Sequence, residues 1–156
     1  MDEKKLLKYA VDYLSKYDST KINFVNVLKR KILRLKTTNY EKGKLFNIIE
    51  SIIIKLEKNK FIDDDRYSST KILSLSNSGK SKNFIFNYLI KKGVGKSIIE
   101  NNLNLIKLNN DNWELNSAKI FAKKKKLLEK DQSYEKNLAK MARAGFSYDI
   151  CKKILG

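Results

Sequence analysis

The apolar residues of this chain recur with the spacing of α-helices. In "LFNIIESIIIKL", Leu45, Ile48, Ile49, Ile52, Ile53 and Leu56 fall at i, i+3, i+4, i+7, i+8 and i+11, which is one helix face. Strand-like alternation is nowhere sustained, and no proline interrupts a helix from within. The pattern predicts an all-α protein of nine helices: Glu3–Tyr17, Thr20–Leu35, Tyr40–Lys58, Asp64–Ser76, Lys82–Lys92, Lys96–Leu108, Trp113–Leu128, Tyr134–Ala144 and Tyr148–Leu155.

The second and third parts of the chain share a weak internal repeat. Segments starting at Ser81 and Ser133 align with a constant offset of 52, and their four identities are Ser81/Ser133, Gly93/Gly145, Ile98/Ile150 and Leu103/Leu155. An offset of 62 extends the frame back to Ser19 and aligns four apolar rows: Phe24/Phe86/Leu138, Val27/Leu89/Met141, Leu28/Ile90/Ala142 and Ile32/Val94/Phe146. We therefore predict three tandem three-helix repeats, at 1–60, 61–108 and 109–156.

The repeat frame also predicts where helices begin and end. Gly93 and Gly145 are expected to end the middle helices in the left-handed conformation, whereas Lys31 holds that place in the first repeat, so its helix is expected to continue. Gly95 and Ser147 are expected to begin the helices that follow. The frame predicts three N-caps, Ser19, Ser81 and Ser133, and three buried side chains, Phe24, Leu89 and Met141.

The charge balance bears on the binding partner rather than on the fold. The chain has 34 Lys and Arg against 17 Asp and Glu, a net charge of +17, and the excess is spread over all three predicted repeats. Because 30 of the 34 are lysine in an Asn- and Ile-rich chain, codon bias could contribute, but glutamate has not risen with lysine. Such a field favours a polyanionic partner, most often nucleic acid.

The composition removes most catalytic and metal chemistry. Without histidine and with one cysteine, the chain lacks the usual zinc ligands, a Cys–His nucleophile pair and a disulfide. Cys151 aligns with Ile99, so we interpret it as a small buried hydrophobe. Gly-Lys-Ser occurs at 79–81 and 95–97, but a phosphate-binding loop requires glycine where Ser74 and Ile90 stand. We expect no enzyme activity, no cofactor and no metal.

Two further features bear on location and on metal binding. The N-terminus has no signal-like apolar core and no 18 apolar residues run together, so we expect a soluble, cytoplasmic protein without membrane contact. We also expect a monomer. The triplet Asp63, Asp64 and Asp65 lacks the glycine and glutamate of a calcium loop, because Ser68 and Ser74 occupy those positions. We interpret the triplet as carboxylates that cap the N-terminus of the next helix.

At this triplet a family resemblance becomes visible. "KNKFIDDDRYSS" resembles the Gly-Tyr/Phe-Leu-Asp-Asp-x-Arg-Phe-Ala junction of the RecX family, regulators of the bacterial RecA recombinase. "SGKSKNFIFNYLIKKGV" is similar to the family's second-repeat pattern, and "KNLAKMARAGFSYDICKKIL" to its closing segment. The matches fall in family order and cover most of the chain. Ser68 departs from the family's usual alanine, and Tyr88 from a common glutamate.

The resemblance implies both a fold and a role. It implies three tandem three-helix repeats in an elongated, curved array. It also implies binding in the groove of the RecA filament on single-stranded DNA, where the protein would hinder filament growth and suppress strand exchange and ATP hydrolysis. Double-stranded DNA is a second candidate partner.

The repeat frame gives a candidate surface for such a partner. Lys29, Lys91 and Arg143 occupy one equivalent position outside the apolar rows, and Arg30/Lys92 and Arg34/Lys96 extend it in two repeats. A second candidate is the run Lys123, Lys124, Lys125 and Lys126 within a predicted helix. The alternative interpretation is that these are solvated surface cations of a lysine-rich chain.

A second function class also fits the sequence. "NYLIKKGVGKSIIENNL" has the helix, glycine turn and second helix of a helix-turn-helix, in which Lys96, Ser97 and Asn101 would face DNA bases. This interpretation predicts a stand-alone DNA-binding protein. An enzyme acting on nucleic acid would need a metal or acid–base cluster, which the sequence does not provide.

Overall fold

The computed structural model describes residues 1–129 and 133–156. Within these residues the chain is all-helical, as predicted, and every predicted helix is present with ends that agree to within two residues, except at the end of α7. The helices are α1 (Glu3–Lys16), α2 (Lys21–Leu33), α3 (Asn39–Lys58), α4 (Asp64–Asn77), α5 (Lys82–Lys91), α6 (Lys96–Asn109), α7 (Trp113–Lys124), α8 (Tyr134–Arg143) and α9 (Tyr148–Leu155).

The chain divides into two compact units. Unit 1 comprises Met1–Tyr67 and Lys92–Val94, and unit 2 comprises Ser68–Lys91 and Gly95–Gly156. In unit 1, the apolar stripes of α1, α2 and α3 meet in one core, whose fully buried members include Leu6, Phe24, Leu28, Ile52 and Leu56. A core of unit 2 joins α7, α8 and α9 through Ala118, Ala122, Leu127, Met141, Phe146 and Cys151. The division into three repeats remains a prediction.

The N-caps of α2, α5 and α8 correct the register of the first predicted repeat. The Thr20 hydroxyl accepts the N–H of Asn23 at 3.2 Å, so Thr20, not Ser19, caps α2. Ser81 and Ser133 cap α5 and α8, as predicted. The offset that aligns the caps of the first two predicted repeats is therefore 61 rather than 62. Both Ser19 and Thr20 have the side chain of a cap, and the local sequence does not distinguish them.

A shift of one residue turns a helix by about 100°, so it changes which side chains are equivalent. With Thr20, Ser81 and Ser133 aligned, Leu28, Leu89 and Met141 occupy one position, and all three are fully buried. The predicted row Leu28/Ile90/Ala142 is wrong, because Ile90 is 42% exposed and Ala142 is exposed. Burial of Phe24, Leu89 and Met141 is confirmed.

Helix α7 is shorter than its pattern predicted. It ends at Lys124 instead of Leu128, because Lys126 adopts a φ of 57° and the Leu127 N–H turns back to the Ala122 carbonyl at 2.9 Å. This turn is a common C-terminal helix cap. It places Leu127 in the core with 3% exposure.

Other predicted helix ends are confirmed. Gly93 and Gly145 have φ of 86° and 97°, the left-handed conformation that ends α5 and α8. Helix α2 continues to Leu33, three residues beyond the position that matches the end of α5. The Asp63 carboxylate accepts the Arg66 N–H at 3.0 Å at the start of α4, as expected of a cap. Cys151 is fully buried, and burial raises its pKa.

Candidate nucleic-acid interface

Two contacts within unit 1 fix the N-terminus of α2. The Thr20 hydroxyl donates a 2.6 Å hydrogen bond to the Lys92 carbonyl oxygen, 72 residues later in the chain. The Lys21 N–H, the first of α2, donates to the Asp64 carboxylate at 2.8 Å. Partial burial raises the Asp64 pKa, although the bond from Lys21 opposes this shift. One free amide at the start of α2 and the side chain of its capping residue are thereby tied to residues distant in sequence.

The same pair of contacts recurs in unit 2 at the start of α5. The Ser81 hydroxyl donates to the Ala144 carbonyl oxygen at 2.7 Å, and the Lys82 N–H donates to the Glu114 carboxylate at 2.9 Å. Lys92 and Ala144 each precede a left-handed glycine. These repeated contacts hold the N-termini of α2 and α5 against residues distant in sequence.

The corrected register changes the predicted basic row. Arg30, Lys91 and Arg143 each lie ten residues after the capping residues Thr20, Ser81 and Ser133. All three are exposed, and none forms an ion pair within 4 Å to another residue of the described ranges. We call Arg30, Lys91 and Arg143 the basic row. Lys29 is exposed on α2 but lies one position away from it.

The other predicted cations lie in less uniform environments. Lys92 is half-buried and supplies the carbonyl that Thr20 binds. Arg34 is exposed at the C-cap of α2. Lys96 begins α6 and pairs with Glu100 at 3.8 Å, an exposed pair that stabilises a helix by only about 0.3–0.5 kcal/mol. Unlike the basic row, these residues do not combine exposure, the absence of an ion pair among the described residues and a position ten residues after a helix cap.

The lysine run is only partly helical. Lys123 and Lys124 close α7, whereas Lys125 and Lys126 form the turn that follows. All four are exposed, and the Lys124 ammonium donates to the Ser78 carbonyl oxygen at 3.1 Å. The run therefore presents cations in several directions rather than along one face.

Helix α8 carries two further cations, Lys136 and Lys140, that were not predicted from the sequence. Lys136, Lys140 and Arg143 are exposed at i, i+4 and i+7, so they form one stripe. The spacing of these cations is visible in the sequence. Burial of Asn137 and Met141 on the core side of α8 shows that the cations lie on its solvent side.

The helix-turn-helix residues are also accessible. Gly95 precedes α6 as its N-cap, and Lys96, Ser97 and Asn101 are exposed. No cluster of three or more His, Cys, Asp or Glu side chains suited to a metal ion occurs in the described residues. None of the described helices has the length and apolar character that a bilayer crossing requires.

Comparisons with known proteins identify the family. No family model matches the chain. It is 31% identical over 154 residues to the regulatory protein RecX of Myxococcus xanthus, covering 94% of this chain and 81% of that protein. It is 34% identical over 125 residues to the regulatory protein RecX of Finegoldia magna, covering 74% of this chain and 59% of that protein.

Solved structures agree on the fold. RecX from Lactobacillus salivarius superimposes with a TM-score of 0.69 at 24% identity, over 97% of this chain and 93% of that one. A second structure of a regulatory protein RecX has a TM-score of 0.70 at 22% identity, over 96% of this chain and 70% of that one. With similarity to a curated relative along nearly its whole length, this chain belongs to the RecX family of regulatory proteins.

Proposed function

We propose that this protein is a non-enzymatic regulator of recombination that binds the RecA-type filament on single-stranded DNA and inhibits its growth, ATPase and strand exchange. The observation that carries the proposal is the 31% identity over 154 residues to a regulatory protein RecX. Regulation by binding is in keeping with a chain that has no histidine and whose single cysteine is buried.

The basic row supports contact with DNA. Three exposed cations recur at the same place in α2, α5 and α8, and they lack carboxylate partners among the described residues. Contacts from such cations to phosphates fix a protein on a strand without reading its sequence. A regulator that must act on a filament wherever it forms needs this kind of contact.

The test is the ATPase of a RecA-type recombinase on single-stranded DNA, measured with and without this protein. We expect a substoichiometric amount of the protein to slow ATP hydrolysis and to shorten filaments seen by electron microscopy. An unchanged rate at equimolar protein would overturn the proposal.

A matched pair of variants separates the basic row from overall charge. The first replaces Arg30, Lys91 and Arg143 with alanine, and the second replaces the exposed lysines Lys8, Lys58 and Lys119, which removes the same charge. We expect only the first to lose inhibition. Equal losses would mean that net charge alone matters, and a change of DNA sequence preference on Lys96→Ala or Asn101→Ala would instead favour a helix-turn-helix reader.

A further inference from the structure

Two aromatic rings lie side by side on the surface of α5. Phe84 and Tyr88 are one helical turn apart, with ring centroids separated by 6.4 Å and ring planes inclined by 22°. Phe84 is 40% exposed and Tyr88 is partly exposed, whereas the core side of α5 is formed by Ile85 and Leu89. Both rings are therefore at least partly accessible to solvent on this helix.

Lysines lie close to both rings. The Lys80 ammonium lies 4.7 Å from the Phe84 ring centroid, and the Lys71 ammonium lies 6.0 Å from that of Tyr88. Lys91 follows Tyr88 at i+3 on the same side of α5. From Ser68 to Lys91, the chain contains four lysines and no Asp or Glu. The surface thus combines aromatic faces with nearby cations.

We propose that Phe84 and Tyr88 form a stacking site for the bases of single-stranded DNA, with Lys71, Lys80 and Lys91 contacting the neighbouring phosphates. This inference rests on the proposed function in taking a DNA strand as the ligand. Aromatic rings within a basic surface are the usual means of holding unpaired bases, because every base has a face that can stack. A duplex keeps its bases stacked on each other, so the site favours the single strand.

The lysines that now cover the rings do not block this site. A cation–π contact at an exposed ring favours the lysine-covered state by roughly 2- to 5-fold. Stacking of a base on the ring favours the bound state by roughly 5- to 150-fold. An arriving base therefore displaces the ammonium from the ring. The displaced lysine stays close enough to contact the adjacent phosphate.

The site is confined to α5 within unit 2. In the aligned register, the positions of Phe84, Tyr88 and Lys91 are occupied on α8 by Lys136, Lys140 and Arg143. At these three positions α8 thus offers cations without rings, and we expect their contribution to binding to be independent of the bases. We therefore expect that removing the bases from the DNA strand and removing cations from the protein weaken binding independently of each other.

The experiment compares a labelled oligothymidine of about 15 nucleotides with an abasic strand of equal length, by fluorescence anisotropy without any recombinase. We expect the parent protein to bind oligothymidine more tightly than the abasic strand. Phe84→Leu and Tyr88→Leu should each weaken oligothymidine binding by roughly 5- to 150-fold and leave abasic-strand binding and the salt dependence unchanged. Tyr148→Leu, at an exposed tyrosine of α9, is the control and should change neither affinity.

Three results would overturn the site. They are equal affinity of the parent for the two strands, unchanged oligothymidine binding by the folded ring variants, and equal weakening of both strands by those variants. If a ring variant does not fold, as judged by circular dichroism, the parent's preference between the strands decides. Because no recombinase is present, failure here leaves the ATPase test of the proposed function intact.

Discussion

The hydroxyl group of Ser81 donates a 2.7 Å hydrogen bond to the carbonyl oxygen of Ala144, 63 residues further along the chain. The same hydroxyl accepts the N–H of Phe84 and caps α5. Thr20 makes the matching pair of bonds, to the Lys92 carbonyl and from the Asn23 N–H. One side chain in each case both begins a helix and joins segments distant in sequence, which leads to the first two predictions.

Ser81→Ala should destabilise the protein by about 1–3 kcal/mol, because it removes a helix cap and leaves a carbonyl without its buried partner. Ser133→Ala is the matched control, since within the described residues the Ser133 hydroxyl is exposed and serves only as the cap of α8. We expect a smaller loss for Ser133→Ala, of about 1 kcal/mol. Urea unfolding measures both, and equal losses would show that the bond to Ala144 contributes nothing.

Gly145→Ala should destabilise the protein by more than about 1–2 kcal/mol, the usual cost of left-handed backbone for a residue with a Cβ atom. Gly145 has a φ of 97°, and an added Cβ would lie 2.5 Å from the Ser81 hydroxyl oxygen. Gly43→Ala is the opposite case, because Gly43 lies inside α3 with open space around it, and it should stabilise by about 0.5–1 kcal/mol. Thermal unfolding of both variants tests this; a Gly145→Ala protein as stable as the parent would contradict it.

Ser68→Ala should stabilise the protein by about 1 kcal/mol. Ser68 is fully buried in α4, and its hydroxyl oxygen has no hydrogen-bond partner among the residues that the structure describes, so folding leaves a polar group unsatisfied. Ser69→Ala changes the neighbouring exposed position and reports only the helix propensity, about 0.5 kcal/mol. Chemical denaturation of the two variants gives the difference. A destabilised Ser68→Ala protein would mean that the hydroxyl has a partner in solution.

Asp64→Asn should alter how stability depends on pH. Partial burial raises the Asp64 pKa above 3.8 in the folded protein, so the folded state takes up the proton more readily than the unfolded state. Proton uptake by Asp64 therefore stabilises the folded parent in full below pH 3.8, and this stabilisation is lost as pH rises through the raised pKa. Relative to Asp64→Asn, the parent should become less stable between those limits. A difference in unfolding free energy that is flat with pH, or that slopes the other way, would refute the shift.

Removal of each member of the basic row should lower the steepness of log affinity against log salt on single-stranded DNA by about 0.7, the effect of one phosphate contact. Lys29→Ala is the comparison for Arg30→Ala, because the two residues lie about 100° apart around α2 and the caps place only Arg30 in the row. Anisotropy titrations at several salt concentrations measure the slopes. If Lys29→Ala lowers the slope and Arg30→Ala does not, the corrected register does not govern DNA binding.

The sequence by itself determined the helical class, the order of the helices and the left-handed ends at Gly93 and Gly145. These features depend on residues close together in the chain: apolar side chains at helical spacing, and a glycine where an L-residue would be strained. The excess of positive charge followed from the composition, and the burial of Cys151 followed from its alignment with Ile99.

Only the tertiary structure decided the register of the first predicted repeat, the early end of α7 and the contact between Lys71 of α4 and Tyr88 of α5. Ser19 and Thr20 are alike as caps, and the choice depends on a carbonyl 72 residues away. Helix α7 ends early because the left-handed conformation of Lys126 allows Leu127 to be buried in the core. Lys71 lies near Tyr88 because packing brings α4 and α5 together, whereas Lys80 and Phe84 are only four residues apart in the chain.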